Sequence, residues 1–276
     1  MRIIQVSDTH LSASHEHFSQ NNRVVSRWLS AQKADLIVHT GDLGMDCAGT
    51  LEDLHVAADW LSGFAAEIVC VPGNHDVGDR VAVKPSQPVN DVRLTQWRDV
   101  IGPDYWSLDQ GGWRLIGLNA MLFDTAHPAE EEQFAWLANT ISTSLPVAVF
   151  LHKPLFIDHR EEGPRGYWTV PPEPRRRLLA LLDQAHVRLI ASGHLHIHRQ
   201  RAFGDTMHVW GPAASFVCGE SQEDLGGARQ LGVVEHLFDG DSVTSRFVRP
   251  DGLEDLLIDP VQHVIYPRDT THEAAQ

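Results

Sequence analysis

Residues 68–76 read Ile-Val-Cys-Val-Pro-Gly-Asn-His-Asp, an apolar run that changes abruptly into polar residues. The four apolar residues predict a buried strand, and the proline after them cannot continue it in the middle of a sheet. Gly73-Asn74 favours a tight turn, which presents His75 next to the carboxylate of Asp76. In an α/β sheet, functional sites form beyond the carboxyl ends of the strands. The stretch therefore predicts a sheet with a polar site at one edge.

The same pattern, an apolar strand that ends in metal-ligand residue types, occurs at four other places. These are Asp8-Thr9-His10 after Ile3–Val6, Gly41-Asp42 after Leu36–Val38, His152 after Val147–Leu151, and Gly193-His194-Leu195-His196 after Val187–Ala191. Each piece alone also fits a structural role, such as a turn aspartate or a hydrogen-bonded core histidine. Together and in this order, they predict that five segments bring ligand-type side chains to one edge of one sheet.

The segments between these strands predict an α/β fold. Apolar residues at helical spacing predict helices over 22–32, 50–64, 130–141 and 175–184, with a shorter one over 94–100 inside a surface excursion at 78–112. Thr50, with Asp53 three residues later, is expected to cap the second helix. Strands that alternate with helices imply right-handed crossovers and a mostly parallel sheet.

The last third of the chain has a different pattern. Short strands predicted at 207–210, 214–217, 231–237 and 242–248 suggest a second, more antiparallel sheet packed on the first. The sequence shows no internal repeat and no linker. We expect one domain over residues 1–267 and a frayed tail over 268–276.

The 276-residue chain carries 37 acidic against 22 basic residues, a net charge of −15. Such a chain is expected to repel nucleic acid and anionic membranes. We interpret its short basic cluster, Arg175-Arg176-Arg177, as a solvated face near a helix start. The three cysteines form no CxxC pair, and the sequence shows neither a signal-like start nor an apolar run of about 20 residues. We therefore expect a cytoplasmic protein without disulfides.

The strand-end residues are Asp, Asn and His, which offer oxygen and nitrogen ligands and no thiolate. This donor set suits Mn, Fe, Zn or Co rather than a structural zinc site. A shared carboxylate can bridge two cations roughly 3.5–4 Å apart, as in two-metal hydrolases. Such a pair polarises phosphoryl oxygens and lowers the pKa of a bridging water, so that hydroxide is present near neutral pH. The chemistry predicts in-line hydrolysis of a phosphate ester.

The five segments resemble the five sequence blocks of the calcineurin-like metallophosphoesterases, and they span residues 8–196. Chain length and block spacing are most similar to the bacterial class III cyclic-nucleotide phosphodiesterases and the related glycerophosphodiesterases. The resemblance implies a four-layer α/β/β/α sandwich of two sheets and a pair of metal ions.

The resemblance also implies a role for each residue. One metal is held by Asp8, His10 and His196, the other by Asn74, His152 and His194, and Asp42 bridges them. His75 is then the proton donor or charge stabiliser beside the leaving-group oxygen, and Asp76 orients it. One departure is Lys153-Pro154 after His152, where many relatives carry a polar imidazole or amide.

The candidates for substrate contacts are Asn119, Arg165 and Trp168, with Tyr167 as an alternative to Trp168. Asn119 follows the predicted strand Trp113–Leu118 and either faces the site or forms a turn. The loop 160–168 either caps the pocket or packs as a surface loop. If it caps the pocket, Arg165 would bind phosphate and an aromatic side chain, Tyr167 or Trp168, would stack on a base.

The leading functional hypothesis is a phosphodiesterase acting on small diesters, such as 3′,5′-cyclic nucleotides or glycerophosphodiesters. The alternatives are a phosphomonoesterase or nucleotidase, a nuclease, and a non-catalytic scaffold. The acidic balance disfavours the nuclease, and the complete ligand set disfavours the scaffold. The expected partners are the small substrate and, by analogy with relatives, a second copy in a homodimer, with neither nucleic acid nor a membrane involved.

Overall fold

The computed structural model describes residues 1–219, 222 and 225–266, so the predicted tail lies outside the described residues. The strands are β1 Arg2–Val6, β2 Leu36–His39, β3 Ile68–Cys70, β4 Trp106–Gln110, β5 Trp113–Leu118, β6 Val147–Leu151, β7 Val187–Ser192, β8 Arg199–Phe203, β9 Thr206–Trp210, β10 Val233–Asp239 and β11 Ser242–Val248. The helices are α1 Ser19–Ser30, α2 Leu51–Ser62, α3 Asn74–Val77, α4 Asp91–Val100, α5 Pro128–Thr140, α6 Pro172–Leu182 and α7 Gln262–Ile265, with a short 3-10 helix at Ala120–Leu122. Within the described ranges, each helix is too short or too polar to cross a membrane.

Two mixed sheets stack face to face. The first has the strand order β11-β10-β1-β2-β3 and the second β4-β5-β6-β7-β9-β8. Strands β1, β2 and β3 run parallel, as do β5, β6, β7 and β9. The antiparallel partners lie towards the edges, with β10 and β11 in the first sheet and β4 and β8 in the second.

Apolar side chains define the layers. Ile3 and Leu36 of the first sheet pack in one cluster with Phe150 of the second sheet, so the two sheets bury their inner faces against each other. Helix α1 covers the outer face of the first sheet, and α5 and α6 cover the outer face of the second. The architecture is the four-layer α/β/β/α sandwich, which confirms the predicted fold class.

The predicted second, antiparallel sheet is wrong in its composition. The last strands divide between the two sheets, since β8 and β9 join the second and β10 and β11 join the first. The strand predicted at 214–217 is reduced to one bridge between Val217 and Leu257. Local β-propensity cannot select a partner strand, because sheet membership depends on contacts that are distant in sequence.

Two local predictions also differ from the structure. Thr50 makes no side-chain cap at α2, and the Asp53 carboxylate instead accepts the backbone N–H groups of Ala13 and Asp46. Arg175 is buried rather than solvated and donates to the carbonyl oxygens of Leu155 and Glu162. In both cases a charged side chain joins distant loops, which periodicity does not reveal.

Candidate metal centre

The predicted ligand residues meet at the carboxyl ends of strands from two sheets, not at the edge of one sheet as expected. Asp8, His10, Asp42 and Asn74 follow β1, β2 and β3 of the first sheet, whereas His152, His194 and His196 follow β6 and β7 of the second. Because the sheets stack with these strand ends at the same end of the sandwich, the loops converge there. The sandwich therefore assembles a site that neither sheet forms alone.

The backbone of these loops is strained. Five of the ligand-type residues have left-handed backbones without being glycine: Asp8 (φ 54°), His10 (φ 42°), Asp42 (φ 53°), His194 (φ 69°) and His196 (φ 51°). Each such conformation costs roughly 1–3 kcal/mol and persists only where surrounding structure enforces it. Here the loops brace one another, since the N–H of Asp8 donates to the carbonyl of Gly41 and that of His10 to the carbonyl of Asp42. Of the seven non-glycine residues with such backbones among the described residues, five carry ligand-type side chains, and the other two are Asp124 and Ala126.

The first group consists of Asp8, His10 and His196, all buried. His196 Nε2 lies 3.3 Å from Asp8 Oδ1 and 3.3 Å from His10 Nε2. Among the described residues, Asp8 Oδ1 has no hydrogen-bond partner although it is buried. A buried carboxylate oxygen without a donor is costly, and a cation would satisfy it.

The second group consists of Asp42, His152 and His194, with the amide of Asn74 beside them. His152 Nε2 lies 3.3 Å from Asp42 Oδ2, 3.2 Å from Asn74 Oδ1 and 3.2 Å from His194 Nδ1. Asp42 Oδ2 is also 3.8 Å from His10 Nε2 of the first group. Asp42 therefore lies between the two groups, where a bridging carboxylate would have to be.

The outer nitrogens of three ligand-type histidines contact backbone carbonyl oxygens. The pairs are His152 Nδ1 with Thr40 (2.7 Å), His194 Nε2 with Tyr167 (3.0 Å) and His196 Nδ1 with Phe216 (2.8 Å). A carbonyl oxygen can only accept, so the outer nitrogen carries the hydrogen, and in the neutral imidazole the inner nitrogen keeps its lone pair. This arrangement orients a metal-binding imidazole and raises its basicity.

The electrostatics favour cation binding. Burial alone would raise the pKa of the Asp8 carboxyl, but the positive charge of a protonated His196 lowers that pKa to about 2. Burial holds the pKa of His10 and of His194 well below the usual value, so both imidazoles are neutral. Burial opposes the charged form of His152 too, yet the Asp42 carboxylate raises the pKa of His152 to about 9. Ionised carboxylates and neutral imidazoles are the forms that bind metals, so a cation at the second group would displace the proton of His152.

His75 lies at the side of the first group, and Asp76 does not orient it as predicted. His75 Nδ1 is 2.9 Å from the carbonyl oxygen of Met45. The Asp76 carboxylate instead accepts backbone N–H groups from Leu43 (2.9 Å), Gly44 (3.3 Å) and Gly73 (2.8 Å). Asp76 thus joins the loops after β2 and β3, and a backbone carbonyl positions His75.

The three predicted substrate residues have different surroundings. The side chain of Asn119 is buried, donates to Asp104 (2.9 Å) and accepts from the N–H of Met121 (3.0 Å), so its polar atoms serve the 3-10 turn instead of facing the ligand cluster. Arg165 lies 3.5 Å from the Asp158 carboxylate and is partly exposed. Trp168 lies near the cluster, with its ring centroid 6.3 Å from that of His194.

The loop between β6 and α6 does cover the cluster, mainly through Tyr167. Its hydroxyl accepts from Asn74 Nδ2 (3.1 Å), and its ring centroid lies 4.6 Å from that of His194. Burial raises the pKa of the Tyr167 phenol well above its usual value, so the hydroxyl remains protonated. Tyr266 also lies beside the cluster, with its ring centroid 5.0 Å from that of His75. It was not predicted, because no motif links the C-terminal segment to the strand ends.

The profile of the calcineurin-like phosphoesterase family matches residues 1–198. The chain belongs to this family, which confirms the resemblance seen in its five segments. It is also similar to "Serine/threonine-protein phosphatase CPPED1" of Pongo abelii and of Homo sapiens, at 27% identity over 140 residues in each case. The aligned part covers 48% of this chain and 42% of each relative, so the chain matches less than half the length of these relatives.

Two solved structures share the fold. A dimetal phosphatase from Danio rerio has a TM-score of 0.59 at 12% identity, with 90% of this chain and 95% of that chain covered. The Plasmodium protein GAP50, described as the anchor in the inner membrane complex, has a TM-score of 0.62 at 14% identity, with coverages of 96% and 93%. At these identities the likeness concerns the fold alone. The family and the Asp/His groups together suit a centre of two metal ions.

Proposed function

We propose that this chain is a binuclear-metal phosphodiesterase that hydrolyses small phosphodiesters. The observation that carries the proposal is the enclosed double group of ligand-type side chains joined at Asp42. Asp8, His10 and His196 would hold one cation, Asn74, His152 and His194 the other, and Asp42 both. Bound divalent cations would polarise the phosphoryl oxygens and supply hydroxide near neutral pH.

The protein's own residues contribute position and a proton. His75 is adjacent to the first group, with one of its ring nitrogens within 4.8 Å of a ring nitrogen of His10 and a carboxylate oxygen of Asp42. Because Nδ1 contacts the Met45 carbonyl, Nε2 is the nitrogen that would meet a substrate oxygen in this proposal. In this proposal His75 acts as the imidazolium, and its Nε2 gives a proton to the leaving oxygen or stabilises its charge, which leaves a neutral ring.

The covering loop supports a small substrate. Tyr167 is partly buried and contacts both Asn74 and His194, and Arg80 holds the loop by donating to the carbonyl of Gly166 (3.1 Å). A duplex or a folded protein segment would have to displace this loop to reach the cluster. The covering loop therefore favours a small substrate, such as a cyclic nucleotide or a glycerophosphodiester, over a macromolecule.

Local charge supports a diester over a monoester. Three cationic side chains flank the covering loop, and each is paired with a carboxylate: Lys153 with Asp79 (2.5 Å), Arg80 with Asp124 (2.8 Å) and Arg165 with Asp158 (3.5 Å). A monoester carries about −1.5 to −2 charge at pH 7, whereas a diester carries a single charge. Beyond the metal ions themselves, these paired side chains offer little further compensation for the second charge, which favours the diester.

A phosphomonoesterase is the second candidate. The relatives at 27% identity bear the name of a protein phosphatase, which favours monoester hydrolysis. Such an enzyme would use the same metal ligands and the same His75. The cytoplasmic location and the homodimer remain predictions alongside these two candidates.

A substrate panel distinguishes the candidates. The Mn²⁺-loaded protein is assayed with 3′,5′-cyclic AMP, 2′,3′-cyclic AMP, glycerophosphocholine, bis(p-nitrophenyl) phosphate and p-nitrophenyl phosphate. We expect the diesters to be turned over faster than p-nitrophenyl phosphate, and the best natural diester identifies the substrate class. Faster turnover of the monoester would move the protein to the phosphatase group. No turnover by protein shown to hold two Mn²⁺ ions would refute both enzyme assignments for these substrates.

A further inference from the structure

The outer nitrogen of His10 has a different kind of neighbour from those of the other ligand-type histidines. His152, His194 and His196 each face a backbone carbonyl oxygen. His10 Nδ1 instead faces the side-chain hydroxyl of Tyr266, at 3.4 Å. A tyrosine hydroxyl can accept the Nδ1 hydrogen in the way that a carbonyl does, which leaves His10 Nε2 directed at the cluster.

Several contacts fix Tyr266 in this place. Its hydroxyl donates to Met45 Sδ at 3.0 Å, so its proton is directed away from His10. Its ring centroid lies 5.0 Å from that of His75. The preceding residue, Ile265, is buried in a cluster with Phe18, Met45, Phe216 and Ile258, which anchors the end of α7 against the site.

We propose that Tyr266 is a positioning residue of the metal centre and that its hydroxyl holds His10 in the ligand-competent tautomer and orientation. The proposal rests on the proposed metal centre. It makes the C-terminal segment part of the active site, although that segment lies beyond residues 1–198 that match the family. Metal affinity then depends on a residue that the family pattern does not contain.

The expected effect is selective. Loss of a hydrogen-bond partner behind a metal-binding histidine typically weakens metal affinity about 10- to 100-fold. His10 belongs to the first group. Among the hydrogen bonds between described residues, none joins Tyr266 to Asn74, His152 or His194 of the second group. Tyr266→Phe should therefore weaken binding of one Mn²⁺ about tenfold and leave the other unchanged.

The test is a calorimetric titration of metal-free protein with Mn²⁺, compared for wild type, Tyr266→Phe and Tyr105→Phe. Tyr105→Phe is the matched control, because it removes the same hydroxyl from a ring that packs on Trp136. Thermal midpoints of the metal-free proteins show whether the variants fold equally well. Tyr266→Ala, which also removes the ring, should weaken the same site at least as much.

The outcomes separate this inference from the proposed function. One weakened site in Tyr266→Phe, with Tyr105→Phe like wild type, supports the positioning role. The positioning role is overturned if Tyr266→Phe binds both Mn²⁺ ions with wild-type affinity. It is also overturned if Tyr266→Phe and Tyr105→Phe both weaken the two sites equally. The titration needs no substrate, so wild-type protein that binds two Mn²⁺ ions without hydrolysing any ester would refute the phosphodiesterase and leave the comparison of Tyr266 valid.

Discussion

Replacing Gly73 with alanine tests whether close contact between the loops after β2 and β3 sets the position of Asp42. A Cβ at residue 73 would lie 2.2 Å from Asp42 Oδ1 and 2.5 Å from the Asp42 backbone nitrogen. Contacts between such atoms ordinarily begin near 3.4 Å, so Asp42 would have to move by about 1.2 Å. The backbone conformation of Gly73 itself suits alanine, because its φ of −104° lies in the allowed region.

The displacement has two expected costs. Crowding a packed interior typically destabilises a protein by about 1–3 kcal/mol. A misplacement of about 1 Å at a catalytic centre can cost about 100-fold in rate. Because Asp42 is placed between both groups of ligands, we expect kcat/KM for bis(p-nitrophenyl) phosphate to fall about 100-fold and both Mn²⁺ affinities to weaken.

The assay pairs this variant with Gly163→Ala. A Cβ at Gly163 meets nothing within 4 Å, so this substitution adds the same methyl group without crowding. Urea unfolding of both variants measures the loss of stability separately from activity. Gly73→Ala protein that binds two Mn²⁺ ions and turns over substrate like Gly163→Ala would show that the position of Asp42 does not depend on this contact.

Further predictions address the metal ligands, the proton donor and acid stability. Asp42→Ala should lose both Mn²⁺ ions and nearly all activity, and metal analysis that finds two bound ions would contradict its bridging position. His75→Ala should keep both ions and lower kcat about 10²- to 10⁴-fold, most for esters with poor leaving groups, so that an emptied metal site would make His75 a ligand instead. Free Mn²⁺ at 100 times its Kd should raise the free energy of unfolding by about 2.7 kcal/mol per site, and chelation should reverse this rise in thermal melts. Burial, and secondarily the charge of Arg160, lower the pKa of His208 from 6.5 to about 4. Below pH 6.5 the unfolded chain gains a proton at this histidine, which the folded protein excludes until about pH 4, so the free energy of unfolding falls as the pH falls through this window. Between pH 7 and 5, the free energy of unfolding of His208→Phe should therefore fall by about 2 kcal/mol less than that of wild type. Equal losses in urea unfolding would refute the assignment.

The strain in the ligand loops gives the metal predictions a structural basis. Left-handed backbones at Asp8, Asp42 and His194 are unfavourable unless contacts enforce them. The hydrogen bonds between the loops supply part of that enforcement. A bound cation would hold the same side chains together and so stabilise the strained form. Loss of metal should therefore lower stability as well as activity.

The sequence alone determined the main α/β elements and the residue types of the site. Strands such as Val147–Leu151 and Trp113–Leu118 were predicted with the bounds that the structure shows, because a short apolar run between polar turns is typical of a buried strand. The family followed from five short polar segments in a fixed order, each directly after such a run. These are local signals, carried by neighbouring residues.

Only the tertiary structure decided how these segments meet. It divided the ligand residues between two sheets, assigned the orientation of His75 to the Met45 carbonyl instead of Asp76, and placed Tyr266 behind His10. Backbone carbonyl oxygens are present at every residue, so a histidine anchored by one has no signature in sequence. Contacts between residues far apart in the chain arise from the packing of whole layers, and that packing depends on side-chain shapes that no local pattern encodes.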